Sequence, residues 1–160
     1  MSATDGIQVS IKVLPAVRVL SLRATMPTYR SQKALWETVC GFAQAHSIAI
    51  AGPCFTLYHD DEYRPSDVDL EVCLPIADDA VVPKDTGNVV DKILPAVARA
   101  ATTIHLGSFD KIPPVYDALH EWIKAQNERA IGPDREVCLV MDLNDTTEES
   151  FVTEIQVELA

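Results

Sequence analysis

LPAV stands at residues 14–17 and again at residues 94–97 of this 160-residue chain. Either this is coincidence in a chain rich in Ala, Val and Leu, or the protein holds two copies of one unit. The two copies lie 80 positions apart, and Gly52-Pro53 shifted by 80 is Gly132-Pro133. At average usage a Gly-Pro pair falls at a given place roughly once in 300. The apolar pattern repeats independently of residue identity. Leu35, Val39, Phe42 and Ala43 make one stripe of a helix over about Ser31–His46. The same shift turns them into Val115, Leu119, Trp122 and Ile123, a second stripe, and carries Trp36 onto Tyr116 and Tyr29 onto Phe109. EVCL also occurs twice, at 71–74 and 136–139, but 65 apart, which breaks the register. Glu71 instead matches Glu154, where DLEVCLPI lies over VTEIQVEL at a shift of 83.

Each copy then reads strand, helix, strand, strand. In the first, VRVLSLRA (17–24) is a strand, and CFTLYHD and VDLEVCLP follow the helix and the Gly52-Pro53 turn. In the second the equivalents are ARAATTIHL (98–106), a helix ending near Gln126, REVCLVM (135–141) and FVTEIQVEL (151–159). Pro113 and Pro114 fit the first turn of that helix, where missing N–H groups are tolerated. The fold class is α+β, one domain over 1–160, with repeat one at about 7–76 and repeat two at about 94–160. The connector 77–93 has a short stretch of its own before Leu94. The expected architecture is a tandem duplication with two antiparallel sheets facing across a pseudo-two-fold cleft and the helices on the outer faces.

Strand alternation assigns the faces. Val68, Leu70, Val72 and Leu74 point one way, and Asp69, Glu71 and Cys73 the other. Ile155, Val157 and Leu159 likewise oppose Glu154 and Gln156. In REVCLVM the alternation predicts Val137, Leu139 and Met141 under the helix, with Glu136 and Cys138 on the far side. Those two match Thr56 and Tyr58 at the shift of 80. A cleft lined by Glu136, Tyr58, Thr56 and Cys138 is the resulting expectation.

Composition removes several function classes. A net charge of −11 argues against nucleic-acid binding by this chain, which needs a basic face, and against an anionic membrane surface. It suits a cationic ligand, and equally a domain that is acidic for solubility alone. No apolar run approaches the roughly 18 residues of a membrane span, and MSATDGIQVS has no secretory pattern, so the expected location is the cytoplasm. Cys40, Cys54, Cys73 and Cys138 show no zinc spacing, and neither do the four histidines. No metal and no cofactor are expected, and the cysteines read as free thiols.

LPAVRVLSLR, AIAGPCFTLYHDDEY, DVDLEVCLPI, LPAVARA, GPDREVCL and TEIQVEL, in that order and spacing, resemble the GyrI-like, or bacterial transcription-activator effector-binding, domain. The resemblance runs from about Ile7 to the end. It implies a duplicated strand–helix–strand–strand unit with a ligand cleft at the pseudo-two-fold. It also implies bulky amphipathic cations as ligands, a carboxylate in the GP-x-x-E strand (here Glu136) as their charge partner, and aromatic rings around them. The chain contains no helix-turn-helix segment and so resembles the stand-alone members. Of these, one is a gyrase inhibitor, some bind toxic small molecules, and some look like hydrolases of reactive cyclopropane-containing natural products. An aromatic often stands two residues after the cleft glutamate; here that place is Cys138. The final strand commonly ends in Pro, where Glu158 stands here.

A partly buried Glu136 would pair with a cation or take a proton, and aromatic rings would add quadrupole attraction. Against this stands an ordinary exposed strand glutamate. Tyr58 serves as cleft wall or proton donor, or as a half-buried strand tyrosine. Trp36 and Tyr116 lie at the edges of the helix stripes and would cap the cleft; Trp122 packs in the core. Glu71 and Glu154 either widen the acidic cleft or, the favoured reading, are structural. HDDEYRPSDVD (59–69) reads as a solvated loop. Three functions follow. The first is a small-molecule-binding module for an amphipathic, lipophilic cation. The second is a metal-independent hydrolase of electrophilic natural products with Glu136 as base and Tyr58 as acid. The third is an acidic inhibitor that binds a basic protein partner.

Overall fold

The computed structural model describes residues 6–160. Residues 1–5, on which part of the secretory-signal reading falls, lie outside them. The order is β1 (Ser10–Leu14), β2 (Val17–Met26), a 3-10 turn (Tyr29–Gln32), α1 (Lys33–Ala45), β3 (Phe55–Tyr58) and β4 (Val68–Pro75). Then come β5 (Val90–Leu94), β6 (Val97–Leu106), a second 3-10 turn (Phe109–Lys111), α2 (Ile112–Ala125), β7 (Asp134–Val140) and β8 (Val152–Glu158). The fold is α+β, as expected: eight antiparallel strands and two helices among the described residues. No helix among them is long and apolar enough to cross a membrane.

The chain divides into two compact units, Pro15–Ala96 and Val97–Ala160 joined by the described residues up to Leu14. Within the first unit the strand order is β3-β4-β2-β5. The alternation predicted for β4 holds: Val68, Leu70, Val72 and Leu74 are fully buried and pack with Leu35, Val39 and Ala43 of α1. A capping box starts the turn before α1. Ser31 N donates to Thr28 Oγ1 and Thr28 N to Ser31 Oγ, a reciprocal pairing that fixes the start of the turn. After α1, Ser47 takes φ +55°, the left-handed residue that ends a helix.

Within the second unit the order is β1-β6-β8-β7. Ile155, Val157 and Leu159 pack with Ile112, Leu119 and Ile123 of α2, and Trp122 leans on this cluster, as expected. Pro113 and Pro114 stand in the first turn of α2. Asn127, at φ +57°, ends α2 as Ser47 ends α1.

The strand–helix–strand–strand unit lacks two strands that the structure adds. β1 (SIKVL) and the β5 stretch of the connector (VDKIL) are short, with charges interleaved among apolar residues, so neither shows a clean period of two. Their partners are informative. β1 precedes β2 in sequence but pairs with β6, while β5 pairs with β2. Leu14 sits opposite Val97, and Leu94 opposite Val17. Each LPAV is therefore the point where the chain passes from one unit into the other.

Candidate functional site

On the first unit three of the expected site residues meet one side chain. Gln32, in the 3-10 turn before α1, donates from Nε2 to Tyr58 Oη (3.1 Å) and to the Tyr29 carbonyl (2.8 Å). Its Oε1 accepts from Thr56 Oγ1 (2.7 Å) and from Trp36 Nε1 (3.1 Å). Both amide protons and both carbonyl lone pairs are thus used, and Thr56, Tyr58 and Trp36 are held in fixed orientation. Tyr29 adds an edge-on ring to Tyr58 at 5.6 Å, and Tyr63 lies 5.4 Å beyond Tyr29. Sequence reasoning missed Gln32. Its signal was the four-residue spacing to Trp36, which puts both on one side of a helical turn.

These contacts correct the face assignment. Directly opposed residues of an antiparallel pair share a face. Thr56 pairs with Val72 and Tyr58 with Leu70, both in the core under α1. Thr56 and Tyr58 therefore lie on the α1 face and not on the far side. The far side takes Phe55 and Leu57, which are buried as well. With apolar residues on both faces of β3, alternation gives the period but not its sign.

The same correction applies to β7. Glu136 pairs with Ile155 and Cys138 with Thr153, so both share the α2 face. Asp134, two residues before Glu136, reaches α2 directly: its Oδ2 lies 3.6 Å from His120 Nε2. His120 in turn stacks on Tyr116, with ring centres 6.3 Å apart and planes at 17°. Leu139 and Met141, expected under the helix, are 43 % and 46 % exposed. The ladder shifts register between Cys138 and Val140, so the predicted alternation ends there. On this unit Asp134, Glu136 and Cys138 are half-buried along one strand face, with Tyr116 and His120 on the helix that covers it. Thr153 is buried on the same face, and its hydroxyl has no hydrogen-bond partner among the described residues. The adjacent Asp134 carboxylate, outweighing burial and helped by Asp117, raises the His120 pKa above its ordinary value.

The far faces carry the two glutamates matched by the sequence. Glu71 is 2 % exposed, ion-paired to Lys92 of β5, with His59 Nε2 at 3.0 Å. Burial pushes its carboxyl up, but hydrogen bonds from Lys92, Ser21 and His59 prevail and hold it below the ordinary glutamate value. Glu154 is 8 % exposed, 2.8 Å from Lys12 Nζ of β1, and accepts from Gln156 Nε2 at 2.7 Å. Each buried carboxylate thus holds the extra edge strand of its own unit, which is the structural reading. Lys12 and Lys92 were missed although the shift of 80 joins them too.

In the 59–69 loop, Asp60 Oδ2 accepts from Asp69 N at 2.8 Å, and Arg64 N donates to Tyr29 Oη at 2.9 Å. No group of three or more His, Cys, Asp or Glu side chains among the described residues is placed to hold a metal ion. All four cysteines are free, and burial pushes the Cys54 thiol up to about 11.

No curated protein matches the chain in sequence. Among solved structures, the EcmrR C-terminal domain is 27 % identical, with a TM-score of 0.87 over 97 % of this chain and 98 % of that one. An EcmrR–DNA complex matches at the same identity and a TM-score of 0.85, but 96 % of this chain spans only 57 % of that longer protein. Two more distant structures share the fold. SAV2435 bound to tetraphenylphosphonium is 13 % identical, with a TM-score of 0.58 over 96 % of this chain and 94 % of that one. A hydrolase from Listeria innocua is 11 % identical, with a TM-score of 0.68 over 96 % and 92 %. The sequence model for the GyrI-like small molecule binding domain matches residues 7–160, nearly the whole described chain. On that match, this chain belongs to the GyrI-like small-molecule-binding family.

Proposed function

We propose that this protein binds an amphipathic, lipophilic cation, with Glu136 as the charge partner. The observation that carries this is the half-buried Glu136 on the α2 face, with Tyr116 on the covering helix and the buried Thr153 hydroxyl on the same face. A carboxylate partly withdrawn from water attracts a weakly hydrated cation more strongly than an exposed one does. Cys138 and Tyr116 line this site. Thr56, Tyr58 and Trp36, aligned by Gln32, are assigned to ligand contact on the α1 face. The soluble lipophilic cation in the SAV2435 structure supports this ligand class by analogy of fold.

Titration of tetraphenylphosphonium against wild type and Glu136→Gln tests the proposal. Loss of a charge-assisted contact should weaken binding by roughly tenfold or more. Absence of binding to the wild type, or equal affinity in both proteins, would overturn it.

We also propose that the two units descend from one by tandem duplication. Equal element order, the two LPAV crossings and the paired Lys–Glu contacts support this. Direct nucleic-acid contact by this chain forms no part of the proposal, because its net charge of −11 opposes it.

A further inference from the structure

Three side chains cross the α2 face in one row: His105 of β6, Thr153 of β8 and Cys138 of β7, each directly opposite the next. The matching row under α1 is Ala24, Leu70 and Tyr58, with Leu70 fully buried in the core. Thr153 stands where Leu70 does and is 1 % exposed, yet its hydroxyl has no hydrogen-bond partner among the described residues. The other buried threonines are all satisfied. Thr56 Oγ1 donates to Gln32 Oε1 at 2.7 Å, Thr102 Oγ1 to the Ser10 carbonyl at 3.1 Å and Thr103 Oγ1 to the Gln8 carbonyl at 2.8 Å. His105, beside Thr153, donates from Nε2 to the Ser108 carbonyl at 2.8 Å. A buried hydroxyl left unpaired destabilises a fold, and valine would fill the same space without that cost. Cys138 is half-buried, so the row reaches solvent at its β7 end. We infer that Thr153 is a specificity-determining residue: a ligand entering over Cys138 meets the Thr153 hydroxyl with a hydrogen-bonding group of its own, and the protein prefers an amphipathic cation bearing a hydroxyl to one of equal size without it. This rests on the reading that a lipophilic cation is bound at the α2 face, and it holds whichever group meets the positive charge.

The test titrates two matched pairs of triphenylphosphonium ions, (2-hydroxyethyl) against propyl and (3-hydroxypropyl) against butyl. Within each pair the size and charge are the same, and a terminal hydroxyl replaces a methyl. The charge partner therefore cancels in the affinity ratio. In Thr153→Val the ratio of at least one pair should move toward the methyl-ended ion by roughly fivefold to tenfold, the size of one hydrogen bond at a buried site. Thr153→Ser, which keeps the hydroxyl, should keep the wild-type ratio. With no ion added, Thr153→Val should melt at or above the wild-type temperature, because the hydroxyl has no partner among the described residues to lose. A melt well below wild type would show a structural role and overturn the inference. Unmoved ratios in both pairs, the result if water alone meets the hydroxyl, overturn it too and leave the loss expected in Glu136→Gln untouched. A shifted ratio with equal binding by wild type and Glu136→Gln supports the inference and overturns only the Glu136 assignment. Failure of the wild type to bind any of the ions overturns both.

Discussion

The α1 face and the α2 face start from one register and end with opposite chemistry. At matching positions Thr56 stands against Glu136, Tyr58 against Cys138, and Trp36 against Tyr116. On the α1 face a single neutral amide, Gln32, ties the set together. On the α2 face the matching strand carries carboxylates, one of them beside an imidazole. The far faces differ much less: each has a buried glutamate tied to the lysine of an edge strand. Where the backbone needs the same support, the side chains agree. At the positions proposed to meet a ligand, they have diverged.

The largest expected effect probes the shared feature. Lys92→Met leaves Glu71, 2 % exposed, without its ammonium partner, and should cost about 3 kcal/mol of stability. Lys12→Met should cost less, about 1 kcal/mol, because Glu154 is more exposed than Glu71. Urea unfolding of both variants measures the gap; equal costs would break the distinction. The Glu71 carboxyl is held below its ordinary value, so its contribution is present above the unfolded glutamate pKa. That contribution is lost as pH falls through the lower folded value. Glu71→Gln should therefore flatten the acid limb of the stability curve, and an unchanged limb would contradict the assignment.

Gln32→Leu probes the neutral face. It strips partners from Thr56, Tyr58 and Trp36 at once, and should cost about 1–2 kcal/mol. Trp36 emission should shift as its indole N–H loses its acceptor; a spectrum identical to wild type would argue against the network. The smallest effect compares the helix ends. Ser47→Gly relieves a left-handed serine and should stabilise by about 0.5–1 kcal/mol. Asn127→Gly should gain less, since asparagine tolerates that conformation. Thermal melts of the two variants rank them.

Several elements were legible before any coordinates. VDLEVCLP, the α1 stripe and the prolines of α2 stand where the periodicity puts them, because one face of each is wholly apolar and only one arrangement buries it. The short strands β1 and β5 were not, since interleaved charges mask their period and their pairing is non-local. The shift of 80 named Glu136, Thr56, Tyr58, Cys138, Trp36 and Tyr116 as candidates. Gln32 left only its four-residue spacing to Trp36, and His120 and Asp134 left nothing local, because their contacts join elements apart in sequence.

By itself, then, the sequence determined the α+β class, the internal repetition of pattern and the family, because these depend on periodicity and on order along the chain. Tertiary structure alone decided which way β3 and β7 face: β3 is apolar on both sides and has no preferred sign, while β7 turns its carboxylate side to α2 against simple alternation because its pairing with β8 imposes it. It alone decided the exchange of β1 and β5 as well. An edge strand chooses its partner by the ladder and the buried carboxylate waiting for its lysine, and neither is written within five residues.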